Sequence, residues 1–180
     1  MLPHPTPSRE QGVALMEVLV AMLITAFGIL GYVGLQARTT VANLEAYQRS
    51  QALILVNDMA QRINLNRANA DAYVANDIGA SPCTPPATGT PTAAQNDICA
   101  WASSIQGAGE LQGSTKVGAM LNARGCIAKM ATYFQISIAW QGLRASGAPA
   151  ATCGQGQFSA ENLRRTVSVV VQIANLSPTP

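Results

Sequence analysis

The chain has 180 residues, enough for one domain with an appendage. Only 11% of them are charged, against roughly 25% in an average soluble domain, and the formal net charge is +2. That balance excludes a strongly basic nucleic-acid-binding protein; beyond Leu35, ten Lys or Arg stand against seven Asp or Glu, with no long run of either sign.

A short polar leader, rich in proline at Pro3, Pro5 and Pro7, ends at Gly12. Val13 to Leu35 follows, twenty-three residues with one charge, Glu17. At about 1.5 Å per residue this run reaches roughly 34 Å as a helix, slightly more than a ~30 Å hydrocarbon core. A cleaved secretory signal is shorter and ends in a small-x-small site, whereas Leu35-Gln36-Ala37 has Leu where a small residue belongs. A buried core helix is disfavoured too, because the rest of the chain offers little apolar surface to surround it. A membrane anchor remains, and Glu17 is its anomaly. Four residues from Val13, the carboxylate sits only about 6 Å into the helix, within reach of headgroups. It thus avoids the roughly 2.5–3.5 kcal/mol it would cost at the bilayer centre. If residues 1–12 are removed, Val13 gains a free α-amine one helical turn from Glu17. In a packed array of such helices, the amine of one chain and the carboxylate of another neutralise each other and fix the axial register, since an unpaired buried ion is costly.

A polar leader ending in Gly, then about twenty apolar residues with Glu at the fifth, resembles the type IV prepilins and pseudopilins. Here it reads Gly12, then Val13-Ala14-Leu15-Met16-Glu17-Val18-Leu19-Val20. The resemblance implies cleavage after Gly12 by a prepilin peptidase, N-methylation of Val13 and an assembly role for Glu17. It implies as partners that peptidase, other minor pilins and the major pilin, the pilus assembly platform, membrane lipid before assembly, and a tip adhesin. Val13 departs from the Phe that begins many mature members. Arg9 and Glu10 nearly cancel and Arg38 lies beyond the run, so the positive-inside comparison does not set orientation.

From Ala37 to Arg67 there is no Pro or Gly, and Val41, Leu44, Ala52, Leu55, Met59 and Ile63 recur at helical spacing. The pattern predicts an amphipathic half, residues 36–67, continuing the membrane half, residues 13–35. Gly28, Gly31 and Gly34 each weaken a helix by about 1 kcal/mol relative to Ala. Equally, they permit close helix–helix approach. Residues 79–98, "GASPCTPPATGTPTAAQNDI", show no periodicity and read as loop, and 102–119 are similarly small and polar.

Four cysteines, Cys83, Cys99, Cys126 and Cys153, form no C-x-x-C and have no nearby His, which argues against zinc. An even number scattered through loops fits two disulfides in an oxidising compartment. Three pairings are open; Cys83–Cys99, which brackets the Pro/Thr-rich loop, with Cys126–Cys153 is the favoured one. A bridge round a fifteen-residue loop contributes about 3 kcal/mol by the loop-closure entropy it removes. Disulfides also place the C-terminal region outside the cytoplasm.

"TYFQISIAW" alternates Thr132, Phe134, Ile136, Ile138 and Trp140 against Tyr133, Gln135, Ser137 and Ala139. "RTVSVVVQI" alternates Val167, Val169, Val171 and Ile173 against Ser168, Val170 and Gln172. Both are half-buried strand patterns, and Cys126–Lys129 adds a shorter strand. The expected fold is α+β, a long N-terminal helix whose amphipathic half packs on a small antiparallel sheet with disulfide-stapled loops, the globular part spanning residues 68–180. "AWQG", Cys153-Gly154 and Arg164-Arg165-Thr166-Val167 resemble the PilV-type minor pilins. The nearest rivals are a type II secretion pseudopilin and a single-pass anchored periplasmic binding domain.

Catalysis is not expected. His4, the only histidine, lies in the leader, paired cysteines leave no thiolate, and Asp71, Asp77, Asp97 and Glu110 are scattered. "GELQGSTKVG" lacks the P-loop spacing. No metal or cofactor is expected. Arg124, Lys129, Arg144, Arg164 and Arg165 cluster late in the chain and read as solvated strand-end charges, so nucleic acid is not an expected partner. The resemblance implies a minor pilin supporting pilus assembly and initiation, adhesion and twitching motility. Its implied location is the bacterial inner membrane, single pass with a periplasmic C-terminal domain, and then the pilus exterior.

Overall fold

A computed structural model describes residues 11–84, 89–113, 115–116, 118 and 120–173. The leader residues 1–10, with His4, lie outside that set, and Gly12 and Val13 are described as helical backbone only. The chain forms two compact units, residues 1–44 and 45–180.

One helix, α1, runs from Gln11 to Leu65. In the second unit its apolar positions are buried, with Ala52, Val56, Met59, Ala60 and Ile63 closing one stripe. The sequence pattern extends this helix to Arg67, but it stops at Leu65. Asn66 leaves helical geometry at φ −115°, ψ 38°, and a short 3₁₀ stretch, Arg67–Tyr73, takes over. That stop is held by polar contacts. Asn66 Nδ2 donates to the Tyr73 hydroxyl at 3.1 Å, and Tyr73 donates to Asp97 at 2.6 Å. Arg62, in the last turn, complements the helix dipole and pairs with Asp58 and Asp97, each at 3.0 Å. Burial first, then the bond to Asp97, raises the Tyr73 phenol above its ordinary 10.0.

The main sheet has four antiparallel strands: β1 (Ala75–Ile78), β4 (Arg124–Lys129), β5 (Phe134–Gln141) and β6 (Arg164–Val171), in the order β1-β4-β5-β6. A separate two-residue ladder joins β2 (Leu111–Gln112) to β3 (Thr115–Lys116). The expected strands are present, each shifted slightly from the sequence pattern. Ile127, Ile136 and Val169 lie in register across three strands. Phe134, Ile136, Ile138 and Trp140 are buried as their alternation requires. So are Ser137 and Ala139 on the opposite face, because the segment carrying Cys153 and Phe158 lies across them.

The segment 79–119 departs from the loop expectation. Ala93–Ile105 is a helix, α2, capped by Thr92 and Gln95 in a reciprocal capping box. Ala94, Trp101, Ala102 and Ile105 are buried on it. Trp101 fills the core over Gly125, where any Cβ would collide with the indole ring, and its Nε1 donates to the Leu55 carbonyl at 2.8 Å. Cys83 is bonded to Cys99 and Cys126 to Cys153, leaving no free thiol.

Candidate functional site

In the first unit, the large apolar side chains from Leu15 to Leu35 are all exposed within the chain, Leu30 for example to 68%. Mean hydropathy over the best eighteen-residue window of α1 is 2.3, with none of that window buried. By length and composition this helix is able to cross a membrane. Its threonine hydroxyls are internally satisfied: Thr25 Oγ1 donates to the Ala21 carbonyl at 2.7 Å, and Thr39 and Thr40 donate to that of Gln36. A surface of this extent on a single helix requires lipid or other helices to cover it.

Glu17 lies on that surface. Met16, Val20, Ala21 and Ile24, all apolar, flank it in one shallow groove. Among the described residues Glu17 has no ion-pair partner. Gly12 and Val13 fall in the first turn of α1, four to five residues before it. Among the described residues nothing lies within 4 Å of where a Cβ would sit on Gly28, Gly31 or Gly34, which leaves a smooth strip on the helix.

The second unit spends its charges on its own framework. Glu45 accepts the backbone N–H groups of Leu143 and Arg144, both at 3.2 Å, and lies 3.6 Å from Arg165. Tyr47 donates to the Glu110 carboxylate at 3.0 Å, and that bond chiefly raises its phenol pKa. Arg124 pairs with Asp77 at 3.1 Å and Lys129 with Asp71 at 2.7 Å. Arg164 is only 2% exposed, contrary to its reading as a solvated charge. Its guanidinium donates to Glu161 at 2.7 Å and to the carbonyls of Pro149, Ala151 and Cys153. The N–H of Gly156, and secondly Arg164, hold the Glu161 carboxyl below its usual range. The late cluster of cations is therefore largely neutralised. Asp71, Asp77, Asp97 and Glu110 are likewise occupied by Lys129, Arg124, Arg62 with Tyr73, and Tyr47.

Residues 34–104 match a family model described as type IV pilin Tt1218, a span of 71 of the 180 residues. The chain matches no curated protein and no solved structure. The matched span covers the end of the uncovered helix, its buried half, the 3₁₀ stretch, β1 and nearly all of α2. With the long helix packed on a four-stranded antiparallel sheet, the match supports a type IV pilin, a structural rather than an enzymatic role, and contacts with other pilins or the pilus machinery. Gly12, Val13 and Glu17 lie before the matched span.

Proposed function

We propose that the chain is a minor pilin precursor of a type IV pilus, of the PilV-like kind. A prepilin peptidase removes residues 1–12 and methylates Val13. The helix from Val13 holds the subunit in the inner membrane, with residues 68–180 in the periplasm, until it packs with other minor pilins and the major pilin into the filament or its tip. In that packing Glu17 is neutralised by the terminal amine of a neighbouring subunit. The subunit would then serve pilus initiation, adhesion and twitching motility, with a tip adhesin as one further partner.

The observation that carries this reading is the union of two features on one helix. Residues 34–104 match a type IV pilin family. Directly before them stands an uncovered apolar helix with a single acid, five residues after a glycine. Lipid alone explains the apolar surface; it does not explain the spacing of Gly12 and Glu17. N-terminal sequencing of the protein recovered from membranes tests the proposal. Val13 as the first residue, with Met1 retained when Gly12 is replaced by Val, is the expected result. Met1 at the terminus of the wild-type protein, in cells shown to process another prepilin, would sink it.

A further inference from the structure

The outer face of the sheet, opposite the buried stripe of α1, carries a cleft of about 670 Å³. That size lies within the roughly 300–1,000 Å³ of small-molecule sites. Three structural features build it. The pairing of β1 with β4 slips between Ala75, opposite Ile127, and Ile78, opposite Gly125, so Asn76 and Asp77 together face one residue, Cys126. In a regular strand two successive side chains point to opposite faces. Here the bulge turns both Asn76 and Asp77 to the cleft. Asp77 completes the turn in the left-handed region, at φ 54°.

The facing wall, residues 150–157, is held from behind. The Cys126–Cys153 disulfide ties it to β4, and the buried Arg164 guanidinium binds the carbonyls of Pro149, Ala151 and Cys153. Glu161 accepts the Gly156 N–H at 2.7 Å, and Arg124 donates to Gln157 at 3.2 Å. A wall fixed at so many points is preorganised, which lowers the ordering cost of binding. The floor is small, with Ala128 and Ser137, so the cleft stays open.

The lining chemistry selects the ligand. Among the described residues Asp77 is the one ionisable side chain lining the cleft, and its charge is met by Arg124 at 3.1 Å. Asn76, Gln135 and Gln155 line it as well, and none of their side chains has a hydrogen-bond partner among the described residues. A carboxamide offers two donors and one acceptor oxygen, the complement of a hydroxyl that both donates and accepts. Such a lining opposes an isolated ion of either sign, and a purely apolar ligand would leave the carboxamides unpaired. An extended peptide would be read by a free strand edge, whereas the convergent groups here are side chains on a sheet face.

We propose that this cleft is a binding site for a neutral oligosaccharide, whose hydroxyls donate to Asp77 and exchange hydrogen bonds with the carboxamides of Asn76, Gln135 and Gln155. The inference rests on the second unit alone and is independent of how the N-terminus is processed.

The test uses the full chain in detergent, applied to an array of linear gluco-, galacto-, manno- and N-acetylglucosamine oligosaccharides. Sialyllactose and an uncharged Gly/Ser/Ala peptide serve as acidic and peptide probes. Retention on at least one neutral glycan is expected. Gln135→Ala and Gln155→Ala should each weaken it about tenfold, the loss of one good hydrogen bond, with unchanged thermal unfolding. Gln61→Ala, on α1 and outside the cleft, should bind as the wild type. Retention only on sialyllactose or only on the peptide, retention on none of the probes, or binding as tight as the wild type by both cleft variants would each overturn the proposal.

Discussion

Replacing Arg164 with methionine is expected to destabilise the globular unit by roughly 3 kcal/mol, near the lower end of the 3–5 kcal/mol typical of breaking a buried charge pair. The side chain is 2% exposed, so methionine keeps the packed stem and removes only the guanidinium. Four groups then lose a donor: Glu161, and the carbonyls of Pro149, Ala151 and Cys153. Glu161 is 37% exposed at its side chain and regains water, as do the half-buried Pro149 and Ala151. Cys153 is buried, and its carbonyl carries the largest uncompensated penalty, about 1–3 kcal/mol for an orphaned group. For a unit of this size, 3 kcal/mol lowers Tm by about 10 °C. Trp101 and Trp140 are both buried and report unfolding by fluorescence. Arg164→Lys should recover less than half of the loss, because one ammonium cannot span carbonyls and carboxylate at once. A Tm drop below about 2 °C in the methionine variant, or full rescue by lysine, would refute the idea that this arginine holds the 149–157 wall.

Tyr73→Phe removes the 2.6 Å bond to Asp97 and should cost about 1.5 kcal/mol at pH 8. Because the folded phenol titrates above the unfolded one, its contribution is complete below the unfolded value of 10.0 and fades as pH rises through the folded value, so the stability gap between wild type and variant should narrow on the alkaline side of 10.0 and not below it. Among the disulfides, Cys83 is exposed and Cys99 half-buried, whereas Cys126 and Cys153 are both buried. Mild reductant followed by alkylation and peptide mapping should therefore label Cys83 and Cys99 first; simultaneous labelling of all four would contradict the burial argument. Gly125→Ala places a methyl against the Trp101 ring, which its bond to Leu55 holds in place, and should lower stability by roughly 2 kcal/mol in a denaturant titration.

Much of the fold was legible because its signals are long. An apolar run of twenty-three residues and a Pro- and Gly-free stretch to Arg67 mark α1, and period-two alternation marks β5 and β6. The helix α2 was hidden by composition: Ala93, Ala94, Ala100, Ala102, Ser103 and Ser104 make it look like the small-residue loop before it. Its signature was nonetheless present in Thr92 and Gln95, three apart, followed by Ile98, Trp101, Ala102 and Ile105 on one face. Strand β1 was invisible for a physical reason, since a bulge abolishes the alternation by which a strand is read. The cleft was beyond reach for the same reason. Its walls come from residues about 75 positions apart, joined by that bulge and by an arginine whose burial no local pattern announces.

Glu17 makes the two possible covers of α1 distinguishable. Lipid covers the exposed leucines and valines equally well whether residue 17 is charged or not, because a residue one turn from the start of the apolar segment reaches the headgroups. A helix bundle does not, because there the groove of Met16, Val20, Ala21 and Ile24 is sealed and the carboxylate must find a cation. Glu17→Ala should therefore leave membrane retention and cleavage unchanged while lowering recovery in sheared filaments. An interaction of about 1.4 kcal/mol per subunit already corresponds to tenfold. Glu17→Gln, which keeps the shape and loses the charge, should behave like alanine if the ion pair is the cause. Equal loss of membrane retention would make residue 17 a matter of anchoring, and normal filament recovery for both variants would remove its role in assembly altogether.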